Sequence, residues 1–195
     1  MKRIGITGGI GSGKTTVCKI FESLGVPVFY ADDEWKKLLE KSEISLQLKK
    51  VFGEKIFSKN QLNKKLLAKI VFADKKKLAQ LNAIAHPAVA KRFDEWCEEN
   101  SSHPYLIHEA ALIFEAGVNK HLEAVVHVHA ADELRIERVM KRDKITKAEI
   151  VIRMKNQFSE KKKMTLATYV LSNNESELLI PQILKLHKKF SSGKV

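Results

Sequence analysis

Residues 8 to 15, Gly8-Gly9-Ile10-Gly11-Ser12-Gly13-Lys14-Thr15, match the pattern G-x-x-x-x-G-K-[ST] in full. The chemistry that such a run serves is the cradling of a triphosphate. Glycines let the backbone fold tightly around an anion so that successive N–H groups point inward, and the N-terminus of the following helix adds partial positive charge. In this pattern Lys14 reaches the β- and γ-phosphates and Thr15 offers its hydroxyl to Mg²⁺. A glycine-rich turn that binds nothing is the bland alternative, and the flanking residues argue against it. Arg3-Ile4-Gly5-Ile6-Thr7 reads as a short buried strand and Thr16-Val17-Cys18-Lys19-Ile20-Phe21 as the first turns of a helix, the order the motif requires. The spacing therefore predicts a nucleoside triphosphate as donor and leaves the phosphoryl acceptor open.

Phosphoryl transfer needs in-line positioning, neutralisation of charge on the transferred group and often a carboxylate to take the acceptor proton. Asp32 follows a second apolar stretch, Val26-Pro27-Val28-Phe29-Tyr30, and is a candidate for that proton; the competing role is as N-cap of a helix starting near Asp33. Glu109 closes a third apolar stretch, Tyr105-Leu106-Ile107-His108, where a carboxylate suits the Mg²⁺ shell and a helix-start carboxylate is the competitor. Residues 131 to 143 read as a helix with Arg138 and Arg142 four apart on one face, and Thr146 and Glu149 form a capping box for a second helix carrying Arg153 and Gln157. Two arginine-bearing helices joined by a short turn make a candidate lid that would stabilise transferred charge and exclude water. Pairing of these arginines with Glu133, Glu137 or Glu149 on the surface is the alternative.

The elements that must position these residues alternate between strand and helix. Further apolar runs at Val125-Val126-His127-Val128 and Tyr169-Val170-Leu171, and a closing amphipathic helix around Leu178 to Leu186, complete five strands separated by helices. The expected fold is α/β, a five-stranded parallel sheet of the P-loop type with ligands at the carboxyl ends of the strands. From Trp35 to about Ser101 the pattern is helical, divided by turn signals at Phe52-Gly53 and Lys59-Asn60, and no convincing strand is visible. The organisation read from this is a single domain over 1–195, with a core at 1–33 and 102–195, a helical substrate-binding insertion at about 34–101 and a lid at about 142–160.

With 195 residues the chain suits one α/β core acting alone or as a small homo-oligomer. Lys and Arg outnumber Asp and Glu by 35 to 23, a net +12 that favours a polyanionic partner. Nucleic acid is disfavoured, because the cations are scattered and aromatics are only 7% with no stacking pattern beside them. Lys161-Lys162-Lys163, the densest run, reads equally well as a solvated helix face or a phosphate contact. Cys18 and Cys97 suit neither a metal site nor a disulfide framework, and the apolar run at the N-terminus is cut by glycines and Lys14. A soluble protein of the reducing cytoplasm is the expectation, with no membrane span. His127 and His129, two apart on one strand face, lack a third ligand in view and read as ordinary strand residues.

Taken in order, Gly5-Ile6-Thr7-Gly8-Gly9-Ile10-Gly11-Ser12-Gly13-Lys14-Thr15-Thr16-Val17, Ala31-Asp32, His86-Pro87, Ala111-Leu112-Ile113-Phe114-Glu115, Arg138-x-x-x-Arg142-Asp143, Arg153, Gln157 and Asn173 resemble the dephospho-CoA kinase family over nearly the whole chain. The resemblance implies transfer of the γ-phosphate of ATP to the ribose 3′-hydroxyl of dephospho-CoA, the last step of coenzyme A biosynthesis, with Mg²⁺. It implies Asp32 as general base, with Lys14 and Arg142 serving the transfer. ATP is expected at Gly9, Gly11, Ser12, Gly13, Lys14, Thr15, Thr16, Arg138, Arg142 and Asn173. The acceptor is expected at Asp32, His86, Glu109 and Arg153, and the metal at Thr15 and Glu109. Two departures stand out: Tyr30-Ala31-Asp32 replaces the usual Asp-Ala-Asp, and Ala111-Leu112-Ile113 the usual Pro-Leu-Leu. The first removes a helper acid and the second alters a turn. Another small-molecule P-loop kinase, acting on a nucleoside or nucleotide, and a nucleotide-regulated nucleic-acid-binding module are the alternatives.

Overall fold

The computed structural model describes residues 1–58 and 61–193, so the turn signal at Lys59-Asn60 lies outside the described residues. Along the chain the elements are β1 (Lys2–Thr7), α1 (Lys14–Ser23), β2 (Val28–Tyr30), α2 (Ala31–Leu38), α3 (Ser42–Phe52), β3 (Phe57–Ser58), β4 (Gln61–Leu62), α4 (Lys64–Ala73) and α5 (Lys75–Glu99). There follow β5 (Tyr105–Glu109), β6 (Ala124–His129), α6 (Asp132–Asp143), α7 (Lys147–Lys155), α8 (Glu160–Leu166), β7 (Tyr169–Ser172) and α9 (Leu179–Ser191). They form two compact units, one of Met1–Tyr30 with Glu99–Val195 and one of Ala31–Glu98.

The first unit is built on a five-stranded sheet in the order β2-β5-β1-β6-β7, with every neighbouring pair parallel. A parallel sheet is covered on both faces, which is why its strands read as unbroken apolar runs and not as alternating ones. Ile4, Ile6, Leu106, Ile107, Val126 and Val128 are all fully buried. One face packs Ile4, Ile6, Ile107 and Val126 against Val17, Cys18 and Phe21 of α1 and Ile183, Leu186 and Phe190 of α9. Burying Phe21 and Phe190 completely is worth roughly 2 kcal/mol each. Val125 points the other way, into a smaller cluster with Ile113, Phe114 and Phe158. The register pairs Ile6 with Glu109 and Tyr30 with Glu109, so the carboxyl ends of three adjacent strands meet where the glycine-rich loop leaves β1.

The second unit is helical, closed on Leu38, Leu48, Phe52, Ile56, Leu67 and Val71. Two features depart from the pattern read in the sequence. A two-residue antiparallel pair, β3 with β4, joins Phe57 to Leu62 and Ser58 to Gln61; strands so short carry no legible alternation. Helix α2 starts at Ala31, directly after β2, two residues earlier than the start expected near Asp33. Asp32 therefore lies inside the first turn with Asp33 and Glu34, where acidic side chains complement the helix dipole, and it is not the N-cap. Pro87 lies within the 25-residue helix α5. No helix among the described residues is long and apolar enough to cross a membrane.

Candidate active site

Between β1 and α1 the glycine-rich run turns on Gly11 and Gly13, with φ of 79° and 93°. That left-handed region is open to glycine and strained for other residues. Gly13 is also the N-cap of α1 and offers no side-chain cap, so the helix enters the loop with its first-turn N–H groups uncapped. A helix start of this kind, ringed by loop amides, is an anion site. Ser12 is buried and its amide donates to the Gly9 carbonyl at 3.1 Å, while Thr15 and Thr16 are exposed on the α1 side.

The loop is held from behind by side chains of later elements. The Arg135 Nε on α6 donates to the Ile10 carbonyl at 3.0 Å, and the Ile10 amide donates to Gln157 Oε1 at 3.2 Å. Asn173, after β7, donates from Nδ2 to the Ser12 carbonyl at 2.8 Å, and its own amide donates to the His129 carbonyl at 2.8 Å. Arg135 packs so closely that a Cβ on Gly9 would collide with its guanidinium. The space beside position 9 is thus occupied by the Arg135 guanidinium.

Around the loop mouth, Lys14 Nζ lies 3.8 Å from Glu109 Oε1, and both side chains are largely buried. That spacing is an ion pair without a hydrogen bond. Burial, reinforced by Glu109, pushes the Cys18 thiol far above its ordinary range, so it remains protonated. Beyond β5, the Ala111 carbonyl accepts from Thr7 Oγ1 at 3.2 Å and from Lys163 Nζ at 2.7 Å, and Lys163 also pairs with Glu115 at 3.0 Å. Glu115 in turn accepts from the Phe158 amide at 2.7 Å. The lysine run at 161 to 163 is therefore split: Lys161 and Lys162 are exposed, whereas Lys163 is fully buried. Burial lowers the Lys163 ammonium from its usual range, against the opposing pull of Glu115.

On α6, Arg138 donates to the Asn173 carbonyl and to Glu175, both at 3.1 Å. Arg142 is exposed and grips Asp143 with two bonds of 2.7 and 2.9 Å, and Arg153 approaches the same carboxylate at 3.9 Å. The partners are Asp143 and Glu175, not the Glu133, Glu137 and Glu149 that helical spacing suggested. Glu149 instead completes the capping box with Thr146 at the start of α7. Hydrogen bonds from Arg142, with the charges of Arg142 and Arg153, hold the Asp143 carboxyl below its ordinary range.

Three groups were not legible as partners. His127 Nε2 and His129 Nδ1 lie 2.6 and 2.7 Å from one oxygen of Glu160, so the third member of the histidine pair sits on α8, 31 residues beyond His129. Arg135 closes the set, with Nη1 at 3.1 Å from Glu160 and 2.9 Å from Asp132. Burial would raise the Glu160 carboxyl, but the hydrogen bonds from both histidines and nearby positive charge carry it down to about 2. Arg135 did leave a signal, since Arg135, Arg138 and Arg142 are spaced three and four apart on one helix face.

The family model for dephospho-CoA kinase matches residues 2–178. The chain belongs to the dephospho-CoA kinase family. Membership makes it a kinase that uses ATP. A dephospho-CoA kinase of Bacteroides fragilis is 39% identical over 94% of this chain and 90% of its own length, and one of Chlorobium chlorochromatii is 38% identical over 88% and 84%. Among solved structures, a Thermus thermophilus protein aligns with a TM-score of 0.85 at 35% identity over 96% of each chain. The dephospho-CoA kinase of Campylobacter jejuni aligns at 0.73 and 26% over 98% of each. A shikimate kinase of Acinetobacter baumannii, at 14% identity and a TM-score of 0.54, shares the fold alone.

For this dephospho-CoA kinase family member, the structure brings Gly9, Gly11, Ser12, Gly13, Lys14, Thr15, Thr16, Glu109, Arg138 and Asn173 onto one sheet unit, with Arg142 and Arg153 at the far end of α6 and on α7. Asp32 and His86, both exposed, belong to the helical unit, on α2 and α5.

Proposed function

We infer that this chain transfers the γ-phosphate of ATP to the ribose 3′-hydroxyl of dephospho-CoA, giving coenzyme A. The observation that supports this most directly is the uncapped start of α1 in a loop whose far side is braced by Arg135, Gln157 and Asn173, in a chain of this family. The loop from Gly9 to Thr16 takes the triphosphate, and Lys14 neutralises charge on the β- and γ-phosphates. Thr15 and Glu109 are hard oxygen donors of the kind Mg²⁺ selects; they would hold the ion, which would neutralise negative charge on the phosphates. Asp32 accepts the proton of the acceptor hydroxyl, and with Tyr30 in place of the family's first acid it does so without a second carboxylate two residues before it.

Arg142 and Arg153 belong to a lid over about 142–160, with Arg142 contributing positive charge to the transition state, while Arg138 and Asn173 contact ATP. The helical segment at about 34–101 receives the acceptor, with His86 among its contacts. The enzyme works in the cytoplasm as a monomer or small homo-oligomer, with no nucleic-acid or membrane partner.

An acceptor screen with ATP and Mg²⁺ tests this reading. Dephospho-CoA should release ADP well above the water background, while nucleosides and nucleotides should not; the reverse pattern assigns the chain to another small-molecule kinase. Asp32→Asn is expected to lower kcat on the order of a hundredfold or more with ATP binding nearly unchanged. An unaltered rate returns Asp32 to a purely helix-stabilising carboxylate.

A further inference from the structure

The transfer reaction leaves His127, His129 and Glu160 without a role. Their ligand atoms all lie within 4.8 Å of one another. His127 and His129 share a face at the carboxyl end of β6, as period-two geometry requires, and Glu160 opens α8 against them. A single carboxylate oxygen stands 2.6 Å from one imidazole nitrogen and 2.7 Å from the other. Two nitrogens and one oxygen converging this tightly are a tripod, closed at present by the hydrogen bonds between both rings and the carboxylate.

We propose that His127 Nε2, His129 Nδ1 and Glu160 form a binding site for a divalent transition-metal ion of the Zn²⁺ type, with water as the fourth ligand. Two imidazoles and one carboxylate suit Zn²⁺, whereas Mg²⁺ and Ca²⁺ select all-oxygen sets, so this site is chemically distinct from the one that serves ATP. On binding, the proton that each ring donates to the carboxylate moves to that ring's other nitrogen, so that two neutral imidazoles present lone pairs to the cation. His127 Nδ1 is buried and has no hydrogen-bond partner among the described residues, so no existing bond has to break for it to take the proton from Nε2.

The surroundings fit a metal ligand set. Glu160 is oriented by Arg135 through its second oxygen at 3.1 Å, the kind of outer contact that aims a carboxylate at a metal. Asp132, 2.9 Å from the same guanidinium, balances its charge, so Glu160, Arg135 and Asp132 sum to one negative, while Lys163, which also acts on Glu160, is paired with Glu115. His127 is fully buried, but the His129 side chain is 26% exposed, and Glu160 lines a cavity of about 380 Å³ with Asp132, Arg135 and Gln157. These openings give an ion a route in. Because Arg135 also holds the Ile10 carbonyl, the occupied site would brace the strand end, the start of α8 and the back of the phosphate loop together.

The full chain, stripped of metal with a chelator, is titrated with Zn²⁺ against a chromophoric competitor, and histidine imidazole NMR signals are followed in parallel. One equivalent should bind per chain, the His127 and His129 signals should shift while those of the other histidines stay in place, and Mg²⁺ at equal concentration should move neither. His129→Ala and Glu160→Gln should each weaken binding at least about tenfold, and Arg135→Gln, through loss of the outer contact, on the order of tenfold. Absence of stoichiometric binding, shifts confined to other histidines, or affinity unchanged in correctly folded variants would each overturn the proposal. If a variant does not fold, the wild-type imidazole shifts decide the matter alone.

Discussion

Arg135 and Arg142 stand seven residues apart on one face of one helix, and they live in opposite physical worlds. The Arg135 side chain is 4% exposed and is committed to a backbone carbonyl and two carboxylates; that of Arg142 is 63% exposed and bonds only its neighbour Asp143 among the described residues. A guanidinium desolvated and satisfied on several sides cannot turn toward a substrate without leaving the largely buried Glu160 carboxylate without its cation. A guanidinium held in water by an exposed pair gives up little when it turns away. The contrast separates the cation that builds the phosphate loop from the one free to meet a phosphate, a distinction that residue type and helical spacing do not contain.

The largest expected effect comes from breaking the buried set. Arg135→Met strands Glu160 and the Ile10 carbonyl, and should cost about 3 kcal/mol or more of folding stability in denaturant unfolding. A variant as stable as the parent would show the buried network to be dispensable. Next, Arg142→Ala should leave the unfolding midpoint where it was but reduce kcat about a hundredfold, equivalent to about 3 kcal/mol of transition-state stabilisation. A shift in stability with unchanged kcat would reverse the two assignments.

The smallest effect is expected at Asp143. Asp143→Asn frees Arg142 and should change stability by less than about 1 kcal/mol, a difference that fades in high salt. Since the Asp143 carboxyl is held below its unfolded value of 3.8, whatever the pair contributes is present above that pH and disappears only as pH falls further, through the lower folded value. Stability measured from pH 6 to 8 should therefore be insensitive to this pair, and a steep change there would contradict the assignment.

Much of this was legible before any tertiary information. The motif at 8 to 15, five apolar runs and the capping box at Thr146 and Glu149 all emerge as read, because each rests on local geometry: positive φ at glycines, burial on both faces of parallel strands, and a side chain reaching three residues along. What stayed hidden depends on separation in sequence. His127 and His129 read as plain strand residues because their carboxylate partner comes from α8, and Lys163 read like its two neighbours because its ligands, the Ala111 carbonyl and Glu115, arise some fifty residues earlier. The start of α2 was misplaced for a local reason, since the helix follows β2 without an intervening cap residue.

By itself, the sequence determined the phosphate cradle and the order of strands and helices around it, since backbone sterics and apolar periodicity act over a few residues. Only the tertiary structure decided which arginine is buried, which lysine leaves the solvent and which carboxylate closes on two histidines. Those outcomes depend on desolvation, and how far a group is desolvated is set by elements that meet only when the sheet has assembled.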